Sequence, residues 1–373
     1  MQTKVIKLLT ENIDSAKVKE AAVLVDAGGL VAFPTETVYG IACRVKPDSL
    51  TRLDNLKGRA PQKHYTLHIG EKNIVKKYLP TIGLRAEKLI RNCWPGPLTI
   101  VFKLSPEDTN KQQNSLDRVV FENLYKDNSI GIRCPDNPIA SMLLQSAKNP
   151  VVAPSSNKTG QPPATKADDV LAQFAGQLEL LLDAGPCKYK KCSTVAKISE
   201  NGLEILRAGA YPQAELEAIS EIKFLFVCTG NTCRSPMAEA MFSKYLAEKF
   251  GCEVDQLGKK GYKVYSAGIM NIGGVPASPE AITACAAKGI NIENHRSRAL
   301  TKQLIEESDV IFAMGQIHCE RVIKLVPEAA DKCKLLIAAR DIPDPIGQPQ
   351  LFYDECSRII EKAVKQRIGE LVI

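Results

Sequence analysis

The chain has 373 residues, more than one ordinary core requires and enough for two domains of conventional size. With 45% hydrophobic and 24% charged residues it has the composition of a globular protein, and no apolar run reaches the length of a membrane-crossing helix, so a membrane role is excluded from the expectations. The net charge is +7; residues 1–212 hold 29 Lys and Arg against 21 Asp and Glu, residues 213–373 hold 20 against 21, and the basic excess that favours polyanions therefore lies in the first part.

The opening "MQTKVIKLLTENIDSAK" has only a short apolar stretch, followed by acidic and polar residues, and does not read as an export signal. "AKVKEAAVLVDAG" has helical periodicity, and "GGLVAFPTETVYG" reads as a strand entering a hydroxyl-rich turn. "LKGRA" places Lys57 and Arg59 two apart at a helix end. Two close cations invite an anion, although a solvated helix end has the same pattern. "TIVFKL", "SIGIRC" and "NPVVAPSSN" read as strands, the last delivering Ser155 and Asn157 to a polar loop. The long polar stretch at 105–129 reads as a mobile insertion or lid. "ADDVLAQFAGQLELLL" reads as one helix. Near residue 210 a strand-like run gives way to Gly and Pro punctuation, a short polar helix and a new strand, which predicts domains over 1–212 and 222–373 with a linker at 213–221.

The second part alternates strand and helix: "KFLFV", a helix from about Pro236, "KVYSAG", a helix from about Pro279, "VIFAM" and a closing helix through "FYDECSRIIEKAVKQRI". A small, mostly parallel, doubly wound sheet follows from that order. Twelve cysteines at scattered spacings point to a reducing, cytoplasmic compartment rather than a disulfide framework. Cys187 and Cys192 lack the second pair of ligands that a zinc site needs, so no metal site is assigned.

The stretch "FLFVCTGNTCRSP" joins an apolar strand to a helix through a small polar loop. In that geometry successive backbone N–H groups converge on an anion. Thr229, Gly230, Asn231, Thr232 and Cys233 form the loop, and Arg234 offers a planar fork for two phosphate oxygens. A cysteine at the base of such a loop has its thiolate stabilised, which predicts a lowered pKa and a nucleophilic Cys228. Ser235 can hydrogen-bond the departing thiolate. A proton donor should come from another loop, and "RDIPDPIGQP" supplies Asp344 ahead of a proline, with Asp341 as the alternative.

These residues, together with "YSAG" at 265–268, "NHRSR" at 294–298 and "VIFAM" at 310–314, resemble the low-molecular-weight protein phosphatases over residues 222 to 373. The resemblance implies Cys228 as nucleophile, Arg234 as phosphoryl ligand, Ser235 as thiolate partner, Asn231 as the residue shaping the loop, Asp344 as acid and then base, and no cofactor. Thr232, with Ile346 and Gly347 where the tyrosine-directed branch carries aromatics, is similar to the bacterial branch acting on phosphoarginine. Cys233 is expected to face the same pocket and to shelter Cys228 as a disulfide.

In the first part, "PTETVYG", "KGR", "WPGPLT", "GIRCP", "PSSNKTG", "STV" and "ILRAG" occur in the order found in threonylcarbamoyl-AMP synthases of the YrdC or Sua5 type. The resemblance covers residues 1 to 212 and implies a twisted, mixed α/β sheet. It implies condensation of L-threonine, bicarbonate and ATP, with Mg²⁺ accompanying the ATP, to an adenylate used with further transfer proteins to modify tRNA at the N6-threonylcarbamoyladenosine position. Lys57, Arg59, Ser155 and Asn157 become the ATP tetrad, with Arg207 a second phosphate contact; Thr35, Thr37, His68, Arg133 and Ser193 become candidates for threonine and carbamate. A bifunctional enzyme is the expectation. A nucleotide- or RNA-binding module without turnover beside an active tyrosine phosphatase, and a catalytically dead phosphate-reading adaptor, are the alternatives.

Overall fold

The computed structural model describes residues 2–58, 65–199 and 202–372, and the chain divides between Ser220 and Glu221 into two compact units. The first unit carries an 11-stranded mixed sheet. Its strand order is Lys4–Lys7, Leu180–Asp183, Val31–Phe33, Gly40–Arg44, Val151–Val152, Thr66–His68, Ser129–Arg133, Leu98–Lys103, Thr194–Ser199 and Gly202–Arg207, with Tyr125–Lys126 pairing alongside Ser129–Arg133. Alternate residues of each strand face opposite cores: Val31 and Phe33 pack with Val18, Ala22 and Leu180, whereas Ala32 packs with Ile41, Leu67 and Ile100. Both faces are therefore covered, as the apolar runs predict.

Three local expectations change. The single helix read through "ADDVLAQFAGQLELLL" ends at Phe174, and Leu180–Asp183 is a strand between two parallel neighbours. A short apolar run fits either periodicity, and burial in the sheet decides it. The polar stretch at 105–129 forms helices Pro106–Ser115 and Arg118–Leu124, whose Val120 and Leu124 join the core while Tyr125 donates to Tyr78 O at 2.8 Å. It is packed structure, not a lid. The short polar helix expected within the linker is present as Gln213–Ser220, but it packs on the first unit, with Leu216 buried in that core.

The second unit is built on four parallel strands in the order Tyr262–Gly268, Ile222–Cys228, Val310–Ala313, Cys333–Leu335. The central strand is apolar throughout because it is covered on both sides. Leu225 and Val227 face Ile305, Ile311 and Val322, while Phe224 and Phe226 stack near Phe242 at 4.7 and 5.2 Å between ring centroids. The helix after it runs Arg234–Lys249 and begins two residues ahead of the expected start, with Pro236 in its first turn, where a missing N–H costs nothing. The carboxyl end of the central strand thus meets the amino end of that helix at residues 228–234.

Candidate active sites

Cys228 ends the central strand and is buried. Its Sγ lies 2.9 Å from Ser235 Oγ and accepts the Asn231 N–H at 3.2 Å. Asn231 has a left-handed φ of +56°, which a short amide tolerates. Its Nδ2 donates to Ser235 Oγ at 2.9 Å and Ser266 Oγ at 2.8 Å, while its Oδ1 accepts the Arg298 N–H at 2.8 Å. Ser266 in turn donates to Glu239 at 2.5 Å, and His295 Nε2 lies 2.8 Å from Asn231 O. The loop is pinned from below. Gly268 closes the neighbouring strand against it: a Cβ there would fall 2.8 Å from Thr229 O and 2.9 Å from the Gly230 carbonyl carbon, so only glycine permits the approach.

The buried Arg234 guanidinium donates to Thr229 Oγ1 at 3.0 Å, to Ile342 O at 3.1 Å and to Asp344. Cys228, Arg234, Ser235 and Asp344 are thereby brought to one site. Asp341 is not part of it; its carboxylate accepts the Gln316 N–H at 2.8 Å and caps the helix Gln316–Leu325. Thr232 lies 3.5 Å from the Cys233 sulfur, which otherwise contacts Ser278 Oγ at 3.4 Å and Tyr353 Oη at 3.6 Å. Cys228 and Cys233 are both buried free cysteines.

The expected lowering of the Cys228 pKa is also corrected. Burial pushes the thiol up, and the Ser235 and Asn231 hydrogen bonds and the Arg234 charge only oppose it. The sequence supplies the dipoles but not the depth of the sulfur, nor the carboxylate of Asp344 that shares the guanidinium.

Sequence reasoning missed His318. It is buried on the helix Gln316–Leu325, with Nε2 3.0 Å from Thr229 Oγ1 and a buried Nδ1 without a partner, and burial followed by the nearby Arg234 lowers its pKa to about 4. Thr229 thus joins a neutral imidazole to the phosphate-loop arginine. No local motif announces this, because the pair is 89 residues apart in sequence.

In the first unit a cavity of about 400 Å³ is lined by Lys57, Ser155, Asn157 and Arg207 and by Thr35, His68, Arg133 and Ser193. Arg59 lies outside the described residues. Lys57 is the last residue of the helix Pro47–Lys57, and its ammonium donates to the carbonyls of Ser155 and, at 2.6 Å, of Asn157. Ser155 Oγ donates to Asn157 Oδ1 at 2.6 Å, so the tetrad residues described here form one bonded cluster. Arg207 donates to Ser193 O and Oγ at 2.9 and 3.1 Å. Gly209 makes this possible, since a Cβ there would lie 2.3 Å from the Ser193 carbonyl carbon.

At the other end His68 and Arg133 occupy paired positions on neighbouring strands. Burial and the adjacent Arg133 keep His68 neutral, with a pKa lowered to about 3. Arg133 donates to Thr37 Oγ1 at 2.6 Å and to Glu36 at 2.8 Å. Thr37 stands behind Arg133 and does not line the cavity. Glu36, within the "PTETVYG" motif, was not singled out by sequence reasoning. Among the described residues no cluster of His, Cys, Asp and Glu could hold a metal, and no helix is long and apolar enough to cross a membrane.

Residues 23–209 match the family model of Sua5, YciO and YrdC proteins, described as telomere recombination, and residues 223–372 match that of low molecular weight phosphotyrosine protein phosphatases. The chain is 31% identical to the threonylcarbamoyl-AMP synthase of Pyrococcus abyssi over 64% of its own length and 67% of that protein's. It is 31% identical to the low molecular weight protein-tyrosine-phosphatase Etp of Escherichia coli, over 40% of its own length and 95% of Etp's. The solved structure of P. abyssi Sua5 complexed with L-threonine shares the fold with a TM-score of 0.51 at 20% identity, covering 97% of this chain and 98% of that one. With a synthase-type pocket in one unit and a cysteine-based phosphate loop in the other, the chain belongs to two enzyme families, the Sua5/YciO/YrdC threonylcarbamoyl-AMP synthases and the low molecular weight protein phosphatases.

Proposed function

We propose that one polypeptide carries out both reactions. In the first unit, the amine of L-threonine and bicarbonate form a carbamate with loss of water, and a carbamate oxygen attacks the α-phosphate of ATP. The α–β bond breaks, pyrophosphate leaves and threonylcarbamoyl-AMP remains as donor for tRNA modification. Lys57, Ser155, Asn157 and Arg207 face the nucleotide, and Arg59, outside the described residues, is assigned to it by the family resemblance; Thr35, His68, Arg133 and Ser193 face the amino acid and carbamate, with Thr37 supporting Arg133. Cations are needed there to screen one anion attacking another. Mg²⁺ would accompany the triphosphate as its counter-ion and ease the departure of pyrophosphate.

In the second unit Cys228 passes its proton to the phosphoryl group as the substrate binds, the resulting thiolate attacks phosphorus, the bond to the leaving group breaks, and Asp344 gives that group its proton. Water then attacks the cysteinyl-phosphate, Asp344 takes a proton from the water, and sulfur leaves as a thiolate hydrogen-bonded by Ser235. Thr232 at the loop rim, with Ile346 and Gly347 in place of stacking aromatics, favours a polar guanidinium over a phenol, so phosphoarginine in proteins is the preferred substrate. The observation that carries the bifunctional reading is that each unit gathers a polar constellation from its own described residues.

Two assays on the full chain test it. Pyrophosphate release from ATP should depend on both threonine and bicarbonate and should fall to background in Lys57→Ala; release that ignores threonine leaves only a nucleotide-binding module. Phosphate release from phosphoarginine peptides should exceed that from phosphotyrosine peptides, with Cys228→Ser as blank, and the reverse order overturns the arginine preference.

A further inference from the structure

The two arginines of the synthase cavity are compensated differently. Arg133 is 6% exposed and forms an ion pair of 2.8 Å with Glu36 in which both side chains are buried. The same Nη2 donates to Thr37 Oγ1 at 2.6 Å. Glu36 is fixed from its other side, because its Oε2 accepts the Asp136 N–H at 3.0 Å. It does not line the cavity and stands behind Arg133. Arg133 Nε is buried without a partner, so the guanidinium retains an unused donor after its charge has been matched. Arg207 is the opposite case: exposed, with the neutral oxygens of Ser193 as its partners among the described residues.

A polyphosphate is drawn by net charge, whereas a single carboxylate can be held by directed N–H groups. Both must occupy one cavity of about 400 Å³ during the proposed reaction. A bare, desolvated arginine at the amino-acid end would draw the triphosphate there. We propose that Glu36 is the positioning counter-ion that sorts the two ligands: it cancels the charge of Arg133 and holds its plane, so that this end rejects polyphosphate and accepts the carboxylate of the amino acid, while uncompensated Arg207 marks the phosphate end. The inference rests on the synthase reading above.

The test is calorimetric, on the full chain, with L-threonine and inorganic tripolyphosphate as probes. In the wild type tripolyphosphate should leave threonine affinity unchanged. In Glu36→Gln it should bind about tenfold more tightly and raise the apparent threonine Kd at least about tenfold, because it now takes the Arg133 end. Glu36→Asp, which keeps the charge, should retain the wild-type pattern. A merely structural role of Glu36 would weaken both ligands together and create no competition between them. Competition in the wild type or in Glu36→Asp overturns the proposal, as does its absence in a folded Glu36→Gln; Trp94, the single and buried tryptophan, reports folding of this unit. Should Glu36→Gln not fold, Glu36→Ala is titrated in the same way and must show the same competition. Turnover of the wild type to threonylcarbamoyl-AMP is measured separately, so failure of the synthase reading is seen apart from failure of the sorting.

Discussion

At Cys228 two opposing effects are visible atom by atom. The sulfur is buried, which favours the neutral thiol, while the Ser235 hydroxyl, the backbone N–H groups of Ser235 and Asn231 and the charge of Arg234 favour the thiolate. Arg234 divides its charge between this sulfur and Asp344. Replacing Asp344 with Asn should therefore release positive charge toward Cys228 and lower the midpoint of its alkylation by iodoacetamide as a function of pH. The same substitution removes the proposed proton donor, so phosphatase kcat should drop by roughly 10²- to 10⁴-fold. A midpoint that stays put or rises would mean that Asp344 does not compete for Arg234. The Cys-x5-Arg-Ser run was legible in sequence because its members meet within one loop. Asp344, 110 residues from Arg234, was reached from the need for a proton donor and the proline that follows it, with Asp341 left open beside it, and Glu36 and His318 were not reached at all. Their chemistry is created by burial against distant partners, and a linear spacing carries no record of that.

Elements were legible where one periodicity was long and failed where a run was short. The strand Ile222–Cys228 and the closing helix Gln350–Glu370 follow their patterns. "LELLL" does not, because four or five apolar residues fit a buried strand as well as a helix, and the vacancy between Lys4–Lys7 and Val31–Phe33 selects the strand. The stretch at 105–129 looked like a lid because it is polar, yet Arg118–Leu124 docks through Val120 and Leu124, and Pro106–Ser115 buries the polar side chains Asp108, Thr109 and Gln112. The helix Gln316–Leu325 bears on function through His318, which faces the phosphate loop from its first turn. The folded imidazole is held neutral with a pKa near 4, below its unfolded value of about 6.5. The stability it contributes is therefore whole above about pH 6.5 and is lost as the pH falls toward 4. The urea midpoint of the phosphatase unit, followed by loss of activity on return to neutral assay, should decline across that window, and His318→Asn should decline less steeply. Equal slopes would remove His318 from the acid response.

At the scale of the whole molecule, the change of pattern near residue 210 and the confinement of the basic excess to the first part both foreshadow two units, and the division between Ser220 and Glu221 falls after the helix that the sequence assigned to a linker. That helix reads as linker because it is polar; a single buried Leu216 ties it to the first core. Each unit has its own apolar interior, and the side chains around each proposed site come from the unit that holds it. Chemistry and stability should then be separable. Phe226 is fully buried and packs at 5.2 Å from Phe242 and 5.4 Å from Phe312, so Phe226→Ala should remove about 3–5 kcal/mol from the second unit. Trp94 is the only tryptophan and belongs to the first core, which makes intrinsic fluorescence a reporter of that unit alone. In urea, the variant should lose phosphatase activity at a lower concentration than the wild type while the fluorescence transition and threonine-dependent pyrophosphate release keep their midpoints. A fluorescence midpoint that moves with the phosphatase would show that the two interiors unfold as one cooperative body, and the assignment of separate cores to separate functions would fail with it.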